Sequence, residues 1–289
     1  MRLALRSALP PDDDLLQLGE ASVIGDIGPD SDWSRALDGV SAVVHLANLA
    51  HEMHGPAPLS RYTQVNVEGS SNLARQAAKA GVKRLVYLSS VKVLGEGTSA
   101  KAFDEMSPAN PGDVYAQSKW QAEQALREVE RRTGLEVTIL RPPLVYGPGV
   151  RANFRRLLHL VARGLPLPLG AAANRRSLVF AGNLASAIEA CLINPAAAGR
   201  TFLVSDGVAL STADLVRSLA LALEVPARLL KVPPPLLRAV AALIGRSGEA
   251  GRLLDSLEID DNPLRRELAW SPPYSVAEGL AITAQWFRE

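Results

Sequence analysis

The sequence predicts an α/β protein built on a doubly wound parallel sheet. Three observations carry that reading. Short apolar runs alternate with stretches in which apolar residues recur at helical spacing. The connections between them are short, as right-handed crossovers onto one parallel sheet require. The candidate chemical groups fall at the carboxyl ends of predicted strands, the rim on which open α/β sheets bind ligands. A length of 289 residues, 47% of them hydrophobic, suffices for one large domain or two small ones with a sizeable core.

The elements follow in order. Leu3-Ala4-Leu5, between Arg2 and Arg6, reads as a short strand. Residues 21–27 read as a second, running into the turn signal Gly28-Pro29-Asp30. Asp30 or Ser31 is expected to cap a short helix carrying Trp33 and Leu37 and stopped at Gly39. Residues 40–46 form a continuous apolar strand of the kind buried on both faces. Beyond a loop through His51, His54 and Pro58, the spacing of Val65, Leu73 and Ala77 predicts a helix over 62–80 that stops at Gly81.

Residues 85–88 are the next strand, 115–133 a helix ended by Gly134, and 137–140 a strand running into Arg141-Pro142-Pro143. From about Gly147 prolines and glycines become frequent. Short helices are expected over 154–163, 183–193, 211–223 and 236–244, and strands at 177–180 and 201–204. Residues 1–148 are therefore expected to form one domain. Residues 149–289 make mainly a smaller mixed lobe, with some segments returning to the first.

Composition narrows the function. A net charge of +1 gives no global reason to expect nucleic acid or an anionic membrane as partner. The single cysteine, Cys191, excludes an intramolecular disulfide and sits in an apolar helical pattern, as a small core residue does. Four histidines without metal-ligand spacing predict no metal site. No apolar run reaches the roughly 18–20 residues of a membrane span. The longest, 236–245, is interrupted by Arg238. A cytoplasmic, soluble protein is expected.

The chemistry concentrates in residues 85–119. The apolar run ends on Ser89-Ser90, and Tyr115 and Lys119 follow four positions apart, on one face of a predicted helix. A phenol is a poor base at neutral pH, and a neighbouring ammonium is expected to lower its pKa. It then exchanges a proton with a substrate hydroxyl or carbonyl that a serine hydroxyl orients. Proton transfer at such an oxygen is half of a carbinol–carbonyl interconversion. The other half is a hydride, which no side chain carries, so a nicotinamide is implied. Taken alone, Tyr-x-x-x-Lys equally fits a surface helix.

Several runs together change that weighting: Gly25-Asp26-Ile27, Val43-Val44-His45-Leu46-Ala47, Asn66-Val67-Glu68-Gly69, Val86-Tyr87-Leu88-Ser89-Ser90, Tyr115-x-x-x-Lys119, Leu140-Arg141-Pro142-Pro143, Val145-Tyr146-Gly147-Pro148-Gly149 and Arg176-Ser177-Leu178-Val179. With them the chain resembles the extended short-chain dehydrogenase/reductases of the NAD-dependent epimerase/dehydratase type, which have a Rossmann-type sheet. The resemblance implies that Tyr115 is the general acid/base, that Lys119 tunes it and holds the nicotinamide ribose, and that Ser90 binds the reacting oxygen. Asp26 and Ile27 would contact the adenine, and Leu46, Ala47 and Asn48 the middle of the cofactor. Asn66, Ser89 and Pro143 would also line it. Asn153 and Arg176 would bind a nucleoside diphosphate, a role in which a guanidinium suits a pyrophosphate. The neighbouring Arg175 fits a surface ion pair. A homodimer is implied by resemblance only.

Three departures shape the expectation. No Gly-x-x-Gly-x-x-Gly turn is present to cradle the cofactor pyrophosphate, and Met1 falls at the start of the family's second strand. A strand, a turn and a helix, roughly 30 residues, are thus expected to be missing, as from a fragment or truncated gene model, which would open the sheet. Arg6 stands where NAD enzymes place an acidic residue and would tolerate a 2′-phosphate, so the cofactor is expected to be NADP or NAD. Val91-Lys92-Val93 replaces the Asp-Glu pair with which dehydratases perform elimination.

The run 89–96, the loop Ala50-His51-Glu52-Met53-His54 and the ending 265–273 resemble UDP-4-keto-6-deoxy-hexosamine reductases, a subgroup also labelled UDP-glucose 4-epimerase-like. His51 and His54 would face the sugar or be ordinary loop residues. The leading expectation is C4 reduction of a UDP-4-keto sugar for surface polysaccharide. The alternatives are a UDP-hexose 4-epimerase, a 3β-hydroxysteroid dehydrogenase type, and a non-catalytic cofactor-binding regulator.

Overall fold

A computed structural model describes residues 1–10, 12–50 and 58–289. In chain order its elements are β1 (Arg2–Leu5), β2 (Glu20–Val23), α1 (Ser34–Leu37), β3 (Ala42–His45), α2 (Leu59–Tyr62), α3 (Gly69–Lys79), β4 (Arg84–Leu88), α4 (Val114–Thr133), β5 (Glu136–Arg141), β6 (Leu144–Tyr146), α5 (Ala152–Ala162), β7 (Leu178–Phe180), α6 (Ala181–Ile193), β8 (Thr201–Leu203), α7 (Thr212–Ala222), α8 (Pro234–Leu243), α9 (Ser247–Leu254), α10 (Asn262–Leu268) and α11 (Val276–Arg288). They form two compact units. The first comprises Met1–Leu94, Ala109–Arg141 and Cys191–Phe202, and the second Gly95–Pro108, Pro142–Ala190 and Leu203–Glu289.

In the first unit the strands fall into two sheets, a β1-β2 pair and a run β3-β4-β5-β8. The pairs β1/β2, β3/β4 and β4/β5 are parallel, with Arg2 opposite Glu20, Ala42 opposite Arg84, and Arg84 opposite Glu136. Leu73, Ala74 and Ala77 of α3 and Ala122, Leu126 and Val129 of α4 close over Leu85, Tyr87, Val137 and Ile139 to make the core. Their spacing, four and seven residues apart along α4, is that of one helical face. Asp113 starts α4 by accepting from the Ala116 N–H (2.7 Å), and Gly134 ends it in the left-handed conformation (φ 76°).

Three expectations need correction. Residues 40–46 are not a strand buried on both faces, since Val44 is 38% exposed. The reason is topological: β3 ends its sheet, and its open side borders a cavity of about 1800 Å³ that β1 borders as well. Residues 62–80 are not one α-helix either. Between α2 and α3 the chain widens into a π-helical stretch, Thr63–Glu68. Such a bulge re-aims a side chain. Here it carries Asn66, whose buried amide accepts from the Leu49 N–H (2.7 Å) and donates to the Leu49 carbonyl (3.0 Å) and to Ser118 Oγ (2.9 Å). Glycine is required at position 69, where a Cβ would come within 2.6 Å of Ile27 Cγ2. The short helix α1 begins after Trp33, and Asp32, not Asp30 or Ser31, accepts the Ser34 N–H (2.9 Å).

Arg84 and His45 are among the polar groups buried in this unit with partners. Arg84 pairs with Glu136 (2.6 Å) and donates to the carbonyls of Cys191 (2.9 Å) and Asn194 (2.6 Å), groups that a helix end leaves open. His45 shares a hydrogen bond with Ser70 Oγ (2.8 Å) and tilts against the Tyr87 ring at 5.5 Å. Burial, with a smaller contribution from the Lys119 charge, pulls its pKa down to about 3.

The second unit has its own core, in which Tyr146, Phe154, Leu158, Phe180, Leu219 and Leu280 meet. The pair β6/β7 is parallel, and the buried Asp206 accepts from the Phe180 N–H (2.9 Å), Asn183 Nδ2 (2.7 Å) and the Tyr146 hydroxyl (2.8 Å). Three donors offset the desolvation that pushes this carboxyl's pKa up. A capping box between Ser275 and Glu278 starts α11.

The buried, neutral His45 yields a pH prediction. Below its ordinary pKa of 6.5 the unfolded chain takes up a proton that the folded one refuses until about pH 3. Stability therefore falls with pH across that window. The advantage of the wild type over His45→Gln is expected to shrink by about 1.4 kcal/mol per pH unit, as read from urea unfolding at a series of pH values.

Candidate active site

Tyr115, Lys119 and Glu123 lie one turn apart along α4 and therefore share one face. All three belong to the first unit, together with Ser89 and Ser90 at the carboxyl end of β4. Two contacts tie the strand end to the helix start. Lys92 pairs with Asp113 (2.6 Å), the residue that caps α4, and Lys119 Nζ donates to the Leu88 carbonyl (2.6 Å). The Lys119 ammonium also stands 4.3 Å from the centre of the Tyr87 ring, at a distance suited to a cation–π contact.

Burial lowers the Lys119 pKa to about 7, and the Glu123 charge opposes that fall. A lysine so placed exchanges a proton near neutrality. The phenol departs from expectation. Burial first, then the charges of Asp113 and Tyr62, push the Tyr115 pKa up to about 12. The neighbouring lysine was expected to lower it, whereas burial and the two neighbouring charges raise it, and Lys119 is held by the Leu88 carbonyl and the Tyr87 ring. In this state Tyr115 is a proton donor.

Ser89 and Ser90 differ. The buried Ser89 hydroxyl donates to Glu123, whose carboxylate also takes two hydrogen bonds from Arg141, at 3.0 and 2.6 Å. Ser90 is half-buried, and its hydroxyl accepts from the Lys92 N–H (3.2 Å), capping the short turn Val91–Val93. That bond leaves the Ser90 O–H free to donate. Reasoning from sequence passed over Glu123 and Arg141. The signal was there, in a glutamate four residues after Lys119 and an arginine that ends a buried strand.

Of the residues expected at the cofactor, Arg6, Asp26, Ile27, Leu46, Ala47 and Asn48 line the 1800 Å³ cavity. Arg6 and Asp26 form an exposed ion pair at 2.5 Å. Asn48 Oδ1 is buried without a partner among the described residues, an acceptor open to a ligand donor. A roomy cavity of mixed polar and apolar lining with an open acceptor fits an extended dinucleotide, although no glycine-rich turn in the sequence supplies amides for its pyrophosphate. Asn66 and Ser89 spend the side-chain bonds described above on protein partners.

Pro143, Asn153 and Arg176 belong to the second unit. Pro143 is buried and Asn153 is exposed in the first turn of α5. Arg176 is half-buried and donates to the Asp255 carbonyl (2.8 Å), its pKa lowered by burial. Arg175 makes the surface pair that its position suggested, with Glu258 at 2.6 Å. His51 and His54 lie outside the described residues. Among the described residues no group of three or more His, Cys, Asp or Glu side chains is placed to hold a metal.

Comparison with known proteins adds to this geometry. The profile of the NAD dependent epimerase/dehydratase family matches residues 6–205. The chain is 42% identical over 291 residues to a UDP-glucose 4-epimerase of Vibrio cholerae, covering 99% of this chain and 87% of that protein. It is 34% identical over 219 residues to an N-acetyl-α-D-glucosaminyl-diphospho-ditrans,octacis-undecaprenol 4-epimerase of Escherichia coli O157:H7, covering 75% and 65% of the two. Among solved structures it resembles a dTDP-glucose 4,6-dehydratase from Streptomyces venezuelae crystallised with NAD, with a TM-score of 0.73, 30% identity, and coverage of 93% and 80%.

The buried Glu123–Arg141 pair makes a prediction. Glu123→Ala strands a guanidinium in the core and is expected to cost about 3–5 kcal/mol in urea unfolding. The double change Glu123→Leu with Arg141→Met, which removes both charges, is expected to recover most of that loss.

Proposed function

The chain belongs to the NAD-dependent epimerase/dehydratase family, and from that premise we propose that it interconverts the C4 hydroxyl and C4 ketone of a UDP-sugar, with epimerisation of a UDP-hexose at C4 as the net reaction. The observation that supports the net reaction is the 42% identity, over 99% of the chain, to a protein named as a UDP-glucose 4-epimerase. What supports the chemistry is the placement of Tyr115 and Lys119 one turn apart on a helix tied to the strand end that carries Ser90.

NAD, when bound, accepts and returns the hydride. Asp26 and Ile27 hold its adenine end, Leu46, Ala47 and Asn48 its middle, and Lys119 the nicotinamide ribose. Arg6, engaged by Asp26, is a weak determinant of a 2′-phosphate. Asn66 and Ser89 act as struts, bracing the loop at Leu49 and the carboxylate of Glu123.

Ser90 donates to the C4 oxygen and fixes its position. Tyr115 carries the proton, giving it to a C4 ketone and taking it from a C4 hydroxyl. Lys119, with a pKa of about 7, adds a positive charge beside the phenol when protonated. Elimination of water from the sugar has no support here. Dehydration needs an acid and a base after the serine, where this chain has Val91-Lys92-Val93 and Lys92 is paired with Asp113.

Reduction of a 4-keto sugar is the second reading, favoured by the run 89–96 and the ending 265–273. The two differ in the fate of the cofactor. Incubation with UDP-glucose and UDP-N-acetylglucosamine is expected to give the C4 epimers, seen by proton NMR, without net cofactor consumption. Net consumption of NADH or NADPH with a 4-keto sugar, and no epimer, would assign the reductase instead. Tyr115→Phe is expected to lower kcat by about 10²–10⁴ while leaving UDP affinity, measured calorimetrically, within twofold.

A further inference from the structure

We propose that α8 and its flanks dock the protein onto the surface of an anionic lipid bilayer. The helix is unlike every other long helix here in that none of its residues is buried. Leu236, Val240 and Leu243 are 55%, 49% and 87% exposed. Their spacing of four and three residues places them in one stripe along the helix. Ile244 extends the stripe past the helix end. The inward side of α8, roughly 100° round the helix from Leu236, is already used, as Leu237 packs on the core of the second unit. The one charged residue within the helix, Arg238, is bound to Asp255 at 2.6 Å. The stripe itself carries no charge.

The surroundings are basic. Residues 226–255 contain Arg228, Lys231, Arg238, Arg246 and Arg252 against the acids Glu249 and Asp255, five cations minus two anions, or +3. The remaining 259 residues must then sum to −2, since the whole chain is +1. Arg228, Lys231, Arg246 and Arg252 are exposed, and Glu249 stands 3.9 Å from Arg246, too far for a hydrogen bond. An apolar stripe bordered by cations is the pattern of a helix lying in a membrane interface. At ten residues α8 is about 15 Å long, half a hydrocarbon core, so it lies on the membrane.

A second copy of this chain is the competing occupant, and charge argues against it. A two-fold pairing of the stripe would bring two +3 surfaces together, whereas an anionic headgroup layer neutralises both the flanks and their mutual repulsion. The proposal is independent of the C4 chemistry, because no residue in it belongs to the candidate active site.

The test is sedimentation of the full chain with extruded vesicles of phosphatidylcholine alone or mixed with phosphatidylglycerol. The expected result is binding to the mixed vesicles, weaker on neutral ones and reduced by salt. Two variants are then compared. Leu236→Ser with Val240→Ser and Leu243→Ser removes the stripe, and Arg228→Gln with Lys231→Gln, Arg246→Gln and Arg252→Gln removes the cations. Each is expected to lower partitioning at least about tenfold with an unchanged thermal unfolding midpoint. Failure of the wild-type chain to bind either vesicle would overturn the proposal. So would binding that survives both variants, or light scattering that shows a dimer which the stripe variant splits.

Discussion

The contact on which the candidate site rests is the buried ion pair between Glu123 and Arg141. It joins α4 to the last residue of β5, and through Ser89 it also joins α4 to the end of β4. Three elements are thus fixed by one carboxylate. Two buried charges in a low-dielectric interior repay their desolvation only when geometry is good and the remaining lone pairs are filled. Both conditions hold, with two bonds from the guanidinium and one from a serine. Tyr115 and Lys119 are carried on the same helix face, so the pair that orients Glu123 also orients them.

The electrostatics of that face run from its buried to its open end. Glu123 lies deepest and keeps Lys119 from losing its proton more readily still. Lys119 sits between that carboxylate, a carbonyl and the face of Tyr87. Tyr115 is nearest the helix start, where Asp113 and the loss of water both favour the neutral phenol. The protein alone therefore stores the proton on tyrosine, and the phenolate that can accept one is populated only when positive charge arrives beside it. Sequence spacing supplies the proximity of a phenol and an ammonium, but not which of burial and charge prevails.

Most of the parallel-sheet architecture was legible, because continuous apolar runs and helical periodicity report burial directly. Cys191 and Arg175 also turned out as their contexts suggested. Less legible was whatever depends on neighbours distant in sequence. The exposure of Val44 follows from β3 being an end strand, in keeping with the opened sheet that the absent glycine-rich unit led one to expect but not with the local apolar pattern of 40–46. The π-helical stretch around Asn66 answers to Leu49 and Ser118, residues 17 and 52 positions away. Ser89 reads like a cofactor residue from its motif, yet its hydroxyl is taken by a glutamate 34 positions on. Motifs mark where chemistry gathers, and tertiary partners decide which member of a motif is left free to perform it.

The same limit applies to charge. A sum of +1 over 289 residues argues against an anionic partner only if the charges are mixed, and they are not. Fields at a surface are local, screened within a Debye length of about 10 Å, so a partner senses the +3 around α8 and little of the compensating acids elsewhere. Hydropathy has the same defect. The apolar run 236–245 fails as a membrane span on length and on Arg238, and its spacing reads only as a short helix. Folding puts Leu237 inward, pairs Arg238 with Asp255, and leaves Leu236, Val240 and Leu243 outside. A run too short to cross a bilayer and too exposed to be core has one remaining physical use, which is to lie against another apolar phase.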